Sequence, residues 1–183
     1  MADNEVIVKT ISDDNFSSLM VFSNLGQAYH LSIDELPINS KINVAQLFEF
    51  KSGEKPTTIT SMSRREAVDY YVFVTKNGMV KKTAASEYNL KRGKSIKALN
   101  LKDDDEVVAV HFMKQEPIGI LTSDGNCVII NTDEISAIGR NSMGVRGIKL
   151  NDGAYVIDSR IITGDKLITV SANGLLKKAS MED

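Results

Sequence analysis

One cysteine, Cys127, stands in 183 residues, so no internal disulfide can form, which fits a reducing compartment. No apolar run approaches the roughly 20 residues that a membrane helix needs. The opening MADNEVIVKT is too polar for a secretion signal. These absences point to a cytoplasmic protein without a membrane partner. His30 and His111 have no clustered cysteine or histidine companions, so no metal centre is expected. Neither a G-x-S-x-G elbow nor a Walker loop occurs, so those two enzyme classes have no motif to stand on. Helix signals are nearly missing too; Met62 to Val68 (MSRREAV) is the one candidate helical turn.

What is present is ordinary in bulk. Hydrophobic residues make up 42% and charged residues 25%, which suits a globular domain with a real core. The net charge of −2 argues, taken globally, against a nucleic-acid binder. Its distribution argues the other way. From Lys76 to Lys102 eight basic residues face one acid, Glu87, so that window carries +7 and the rest of the chain −9. Asp103-Asp104-Asp105-Glu106 follows at once. Such segregation suits a local surface for an anionic partner.

The chain repeats itself. LMVFSNLGQAYHL, YVFVTKNGMVKKT, IGILTSDGNCVII and LITVSANGLLKKA align on Gly26, Gly78, Gly125 and Gly174, at spacings of 52, 47 and 49 residues. Each has an apolar run, a hydroxyl residue three positions before the glycine (Ser23, Thr75, Thr122, Ser171) and a second strand-like run. An acid follows nine residues after each glycine: Glu35, Glu87, Glu134 and Asp183. Every unit predicts a β-hairpin, and Asn77-Gly78, Asp124-Gly125 and Asn173-Gly174 predict type I′ turns. Between the hairpins, Arg92 to Phe112 and Gly144 to Ile161 read as turn, strand, acidic turn, strand, with Asn39 to Met62 a looser version. Four strands per repeat of this length is a propeller-blade period. The expected fold is all-β, with repeats at about 14–66, 67–114, 115–163 and 164–183 in one domain.

NGMVKKTAASEYN, RNSMGVRGIKLNDG and NGLLKKASMED resemble the C-terminal domain of the A subunit of DNA gyrase, or of the related topoisomerase IV, from about Asp14 to Asp183. GVRGIKL inclines the resemblance to gyrase. The resemblance implies a β-pinwheel, a propeller-like disc whose blades exchange strands, that binds and bends duplex DNA around its rim. It implies partners too: double-stranded DNA, the B subunit, plus the remaining A subunit, in the bacterial cytoplasm. Cofactors are expected to be none here, with ATP and Mg2+ acting elsewhere in the holoenzyme, and no tyrosine is expected to be catalytic. Family discs have five or six blades, whereas about three full repeats and part of a fourth are present, so an incomplete disc is expected. The family's glycine- and arginine-rich box has no counterpart; by alignment it falls before Met1. Lys91-Arg92-Gly93-Lys94 is similar in composition but lies in a later blade.

The expected DNA-binding residues are Lys81, Lys82, Lys91, Arg92, Lys94, Lys97, Arg140, Arg146, Lys149, Lys177 and Lys178. Lys81-Lys82 and Lys177-Lys178 hold one offset after their glycines. Strand neighbours point to opposite faces, so one lysine of each pair is expected to face out. Phosphate contacts of this kind position a duplex without reading its bases. Blander readings are expected elsewhere: GVRG as a turn, Cys127 as a core residue, and Asp103 to Glu106 as an acidic turn that keeps DNA off one side. The competing function is a propeller scaffold for protein–protein contacts, which the net charge favours. An incomplete disc exposes strand edges, so the chain is expected to self-associate or to close its edge with its own last strand.

Overall fold

The computed structural model describes residues 18–39, 41–61, 68–88, 95–102 and 104–180. The first repeat supplies β1 (Ser18–Ser23), β2 (Gln27–Ser32), a one-turn helix α1 (Val44–Leu47) and β3 (Pro56–Ser61). The second supplies β4 (Tyr70–Thr75), β5 (Met79–Ala84), β6 (Ser95–Lys97) and β7 (Val107–Met113). The third supplies β8 (Ile118–Thr122), β9 (Cys127–Ile130), β10 (Val145–Arg146) and β11 (Val156–Ile161). The hairpin β12 (Lys166–Val170) and β13 (Leu176–Ser180) follows. The candidate helix at Met62 to Val68 lies, but for Val68, outside the described residues.

Sequence repeat and spatial blade do not coincide. The first blade has strand order β3-β1-β2-β6 and the second β10-β5-β4-β7. Each therefore takes one edge strand from the repeat that follows. The third blade is β11-β8-β9, and β12 pairs with β13 alone. The last described strand thus does not close the β9 edge. All pairings between these strands are antiparallel. A register shift recurs in each blade, at Phe22/Ser23, Val74/Thr75 and Val156/Asp158. Such bulges sharpen twist.

The hairpin turns differ from the expected type. Only the glycine has positive φ, at +72° (Gly26), +79° (Gly78), +84° (Gly125) and +78° (Gly174). Gly78 N–H donates to the Thr75 carbonyl at 3.0 Å, and the Met79 amide donates to Thr75 Oγ1 at 3.1 Å. The same amide-to-hydroxyl bond recurs as Gln27 to Ser23, Asn126 to Thr122 and Leu175 to Ser171, at 3.3, 3.1 and 3.0 Å. The repeated hydroxyl residue thus satisfies an amide beside the left-handed glycine. Because the residue before glycine keeps negative φ, Leu25 serves there as well as Asn77 does.

The core lies between blades. In β4, Tyr71 and Phe73 face the first blade, where they meet Met20, Phe22 and Ala28. Their neighbours Val72 and Val74 face the third blade and meet Ile118, Ile120 and Val156. This is the period-two alternation of a strand buried on both faces. Phe22 anchors the first seam with edge-on contacts to Tyr71 and Phe73, each at 5.6 Å between centroids. In the first repeat, α1 stands where the looser pattern predicts a strand. Asn43 caps it, its Oδ1 accepting from the Ala45 amide at 2.9 Å.

Candidate nucleic-acid interface

β5 is an interior strand of the middle blade, and its lysines behave accordingly. Lys81 is 0% and Lys82 6% exposed, so neither faces solvent. This corrects the expectation that one of them points outward. The physical reason is that both faces of β5 are covered, one by each neighbouring blade. Lys81 shares a face with Phe73, and its Nζ donates to the Ala98 carbonyl at 2.9 Å and to the Arg140 carbonyl. Lys82 Nζ donates to the Thr132 carbonyl at 2.8 Å and sits 4.5 Å from the Tyr70 ring centroid. Burial lowers the Lys81 pKa to about 8; Glu87 opposes this and Arg140 adds to it. The pair clasps neighbouring repeats, and a phosphate has no access to it.

The matching Lys177 and Lys178 on β13 are exposed. Lys91, Arg92 and Lys94 lie outside the described residues. Lys97, Arg146 and Lys149 are exposed or nearly so, and Arg140 is half-buried. Lys97 and Arg146 occupy the same register position in successive blades. Lys97 pairs with Gln27, one residue after Gly26, and Arg146 with Met79, one residue after Gly78. Arg140 joins this line, its Nη1 donating to the Lys97 carbonyl at 3.0 Å while its own amide donates to Glu87 Oε2 at 3.0 Å. The acid nine residues after Gly78 therefore sets the loop that carries Arg140.

Two bland expectations also change. GVRG is an edge strand, Val145–Arg146, held between two glycines and not a turn. A Cβ on Gly147 would collide with Val80 Cγ2, and Gly144 has φ +90°. Cys127 is exposed because no strand pairs with the free edge of β9 among the described residues. The acidic turn is structural: buried Asp105 accepts the Asn77 amide at 2.9 Å, and Glu106 Oε2 accepts Asn24 Nδ2 at 3.1 Å. Asp103 lies outside the described residues.

Sequence reasoning passed over two buried polar groups, Asn24 and Glu54, and a half-buried one, His111. Asn24 links its hairpin to the Gly53 carbonyl at 3.2 Å and the Lys55 amide at 2.8 Å. Glu54 accepts from Tyr29 Oη at 2.7 Å and from the Lys51 amide at 3.0 Å. Burial pushes the Glu54 carboxyl up, but hydrogen bonds from Ser23, Lys51 and Tyr29 outweigh it and hold its pKa below the ordinary value. His111 Nε2 meets Ser159 Oγ at 2.9 Å across the seam between blades two and three. Burial, with Arg160 nearby and Asp158 opposing, holds its pKa at about 4. Of these, only Asn24 carries a hint in the sequence, standing next to Leu25-Gly26, the one hairpin turn without an Asn-Gly or Asp-Gly pair.

A repeating hairpin, exchanged edge strands and cations at matched register describe a recognisable domain. The family model of the DNA gyrase C-terminal domain, a beta-propeller, matches residues 17–43, 69–112 and 120–163. The chain belongs to this family. Its three matched segments each hold the turn of one of the first three hairpins. The DNA gyrase A subunit of Helicobacter pylori is 33% identical over 174 residues, covering 90% of this chain and 21% of that protein. The DNA topoisomerase 4 A subunit of Bacillus subtilis is 28% identical over 190 residues, covering 100% of this chain and 24% of that protein. The chain thus spans about a fifth to a quarter of the curated relatives it matches. A crystal structure of the C-terminal domain of DNA topoisomerase IV superposes with a TM-score of 0.82 at 28% identity, covering 90% of this chain and 54% of that one. No helix among the described residues is long and apolar enough to cross a membrane.

Proposed function

We propose that this chain binds duplex DNA without sequence preference, and bends and wraps it as the DNA-handling part of the A subunit of a bacterial type II topoisomerase. The observation that carries the reading is the matched register of Lys97 and Arg146 on the exchanged edge strands of successive blades. A cation repeated once per blade on an exposed strand meets successive phosphates of a curved duplex. Bending a short site costs on the order of 1–6 kcal/mol, and repeated phosphate contacts supply it. Arg140 and Lys149 widen the line, and Lys177 and Lys178 extend it to the last hairpin. Lys91, Arg92 and Lys94 join it in this proposal through their place in the basic window. In the holoenzyme the partners are the B subunit plus the rest of the A subunit; ATP and Mg2+ act on those parts, and the site of action is the nucleoid in the cytoplasm.

Binding to a random-sequence duplex of about 40 base pairs, titrated from low to physiological salt, tests this. About six neutralised phosphates give a log–log slope near −5. No binding at low salt moves the scaffold reading, favoured by the net charge of −2, ahead.

A further inference from the structure

The outer edge of blade one is its exchanged strand β6, and a loop of the next blade covers it. The loop leaves β5 of blade two where a parallel bridge joins Ala137 to Lys82 and the Ile138 amide donates to the Lys82 carbonyl at 2.9 Å. It returns to β5 where Val145 pairs with Val80. Both feet of the loop therefore stand on one strand of blade two. Its tip, Gly139-Arg140-Asn141-Ser142, reaches across to blade one. Arg140 Nη1 donates to the Lys97 carbonyl at 3.0 Å. The Asn100 amide donates to the Ser142 carbonyl at 3.0 Å, and Asn100 Nδ2 donates to the Asn141 carbonyl.

Three side chains shape the tip. Ser142 closes it, its amide and its hydroxyl both donating to the Gly139 carbonyl, at 3.2 and 2.6 Å. Glu87 Oε2 accepts the Arg140 amide at 3.0 Å. Buried Lys81 ties both sides of the seam, its Nζ donating to the Ala98 carbonyl, next after β6, and to the Arg140 carbonyl in the tip. The loop thus grips Lys97 at its tip and runs straight on into Arg146. The two cations of matched register are joined by this loop as well as carried on separate blades. A duplex resists bending, so cations on two blades hold it bent only if the seam between the blades resists in turn. The phosphate contacts set affinity, and the seam sets the angle between them.

We propose that the Gly139–Ser142 loop is a strut that sets how far DNA bends between blades one and two, with Glu87 and Asn100 as its positioning residues, a role that presupposes the DNA binding proposed above. Glu87 has the wrong sign of charge for a phosphate, so it acts on DNA only through the loop it holds. Asn100 gives both its main-chain and its side-chain amide to the tip. Neither residue adds to affinity. Each keeps the Lys97 and Arg146 contacts at a fixed angle while the duplex pulls against them.

The test uses the 183-residue chain and a duplex of about 40 base pairs with a donor and an acceptor dye at its ends, short enough to stay nearly straight when free. Energy transfer at saturating protein reports the bend, and fluorescence anisotropy reports affinity across salt. Glu87→Ala and Glu87→Gln remove the same charge, but only glutamine keeps an oxygen to accept the Arg140 amide. Asn100→Ala removes its side-chain tie with no change of charge. All three are expected to bind at least as tightly as the wild type, with its salt slope, because each keeps every cation. Glu87→Ala and Asn100→Ala are each expected to lose part of the rise in energy transfer that the wild type gives, and the double variant most of it, whereas Glu87→Gln keeps it. Thermal unfolding checks that every variant is folded at the assay temperature. Equal energy transfer from all the folded variants overturns the proposal and leaves DNA binding standing. A loss in Glu87→Gln as large as in Glu87→Ala also overturns it, since charge and not the acceptor would then matter. A lower salt slope in Asn100→Ala does so too, by placing that side chain on a phosphate. No binding by the wild type refutes the DNA reading itself, and the strut's role with it.

Discussion

Lys81→Ala and the pair Lys97→Ala/Arg146→Ala are expected to separate fold from function. Lys81 is charged, sequestered and spent on two main-chain carbonyls. Truncating it strips the Arg140 carbonyl of this donor, whereas the Ala98 carbonyl keeps Tyr88 Oη at 2.9 Å. A hydrogen bond from a charged group contributes about 1.5–3 kcal/mol, and each buried methylene about 0.8 kcal/mol. The partial relief of a desolvated charge offsets some of this. The net loss is about 3 kcal/mol, or roughly 10 °C in Tm for a chain of this size. DNA affinity and its salt slope, measured well below that Tm, are expected to be unchanged. Lys97→Ala/Arg146→Ala reverses the pattern: Tm stays within about a degree, as for exposed sites, and the slope falls by about 2, at roughly 0.9 per lost phosphate contact. The assays are thermal unfolding by circular dichroism and fluorescence anisotropy of a labelled duplex across salt. A folded Lys81→Ala protein whose slope drops as far as the double variant's would refute the reasoning, because it would put the Lys81 ammonium on the DNA.

Further outcomes follow from other parts of the molecule. The His111 pKa is about 4 in the fold against an ordinary 6.5, so its contribution is complete above 6.5 and is lost as pH falls towards 4, by about 3 kcal/mol; the stability difference between wild type and His111→Gln by urea titration is expected to shrink over that window. Gly147→Ala is expected to cost about 1–3 kcal/mol through overpacking against Val80, while Gly125→Ala, with nothing near its Cβ, costs about 1–2 kcal/mol from its left-handed backbone alone; denaturant midpoints compare them. Thr75→Val is expected to cost about 1 kcal/mol by leaving the Met79 amide without its hydroxyl acceptor.

The hairpins were legible because each combines strand-forming runs with a left-handed glycine, a local demand that a sequence states openly. The exchange was visible only by resemblance, since nothing in Ile96-Lys97 says whether it pairs with its own hairpin or the previous one. The lysine pair misled for a related reason. A strand's alternation gives two faces, but the number of faces that are covered is a property of the neighbours, and here β5 has a blade on each side. Cys127 misled in the opposite direction, its apolar surroundings in sequence belonging to an edge with one side open. The hydroxyl residues were seen as a repeat before their role was; an amide acceptor needs a turn geometry that residue types alone do not specify. Lys97 and Arg146 were both picked out by charge, yet their equivalence rests on register, which only strand pairing supplies.

Because each of the first two blades borrows a strand from the next repeat, the unit that recurs along the gene is not the unit that folds. A cut at either of the first two repeat boundaries is not a cut at a blade boundary: it leaves one sheet short of an edge strand and orphans that strand on the other side. Blades joined this way are links and not beads, so a stretch or a melt that opens one must first release its neighbour.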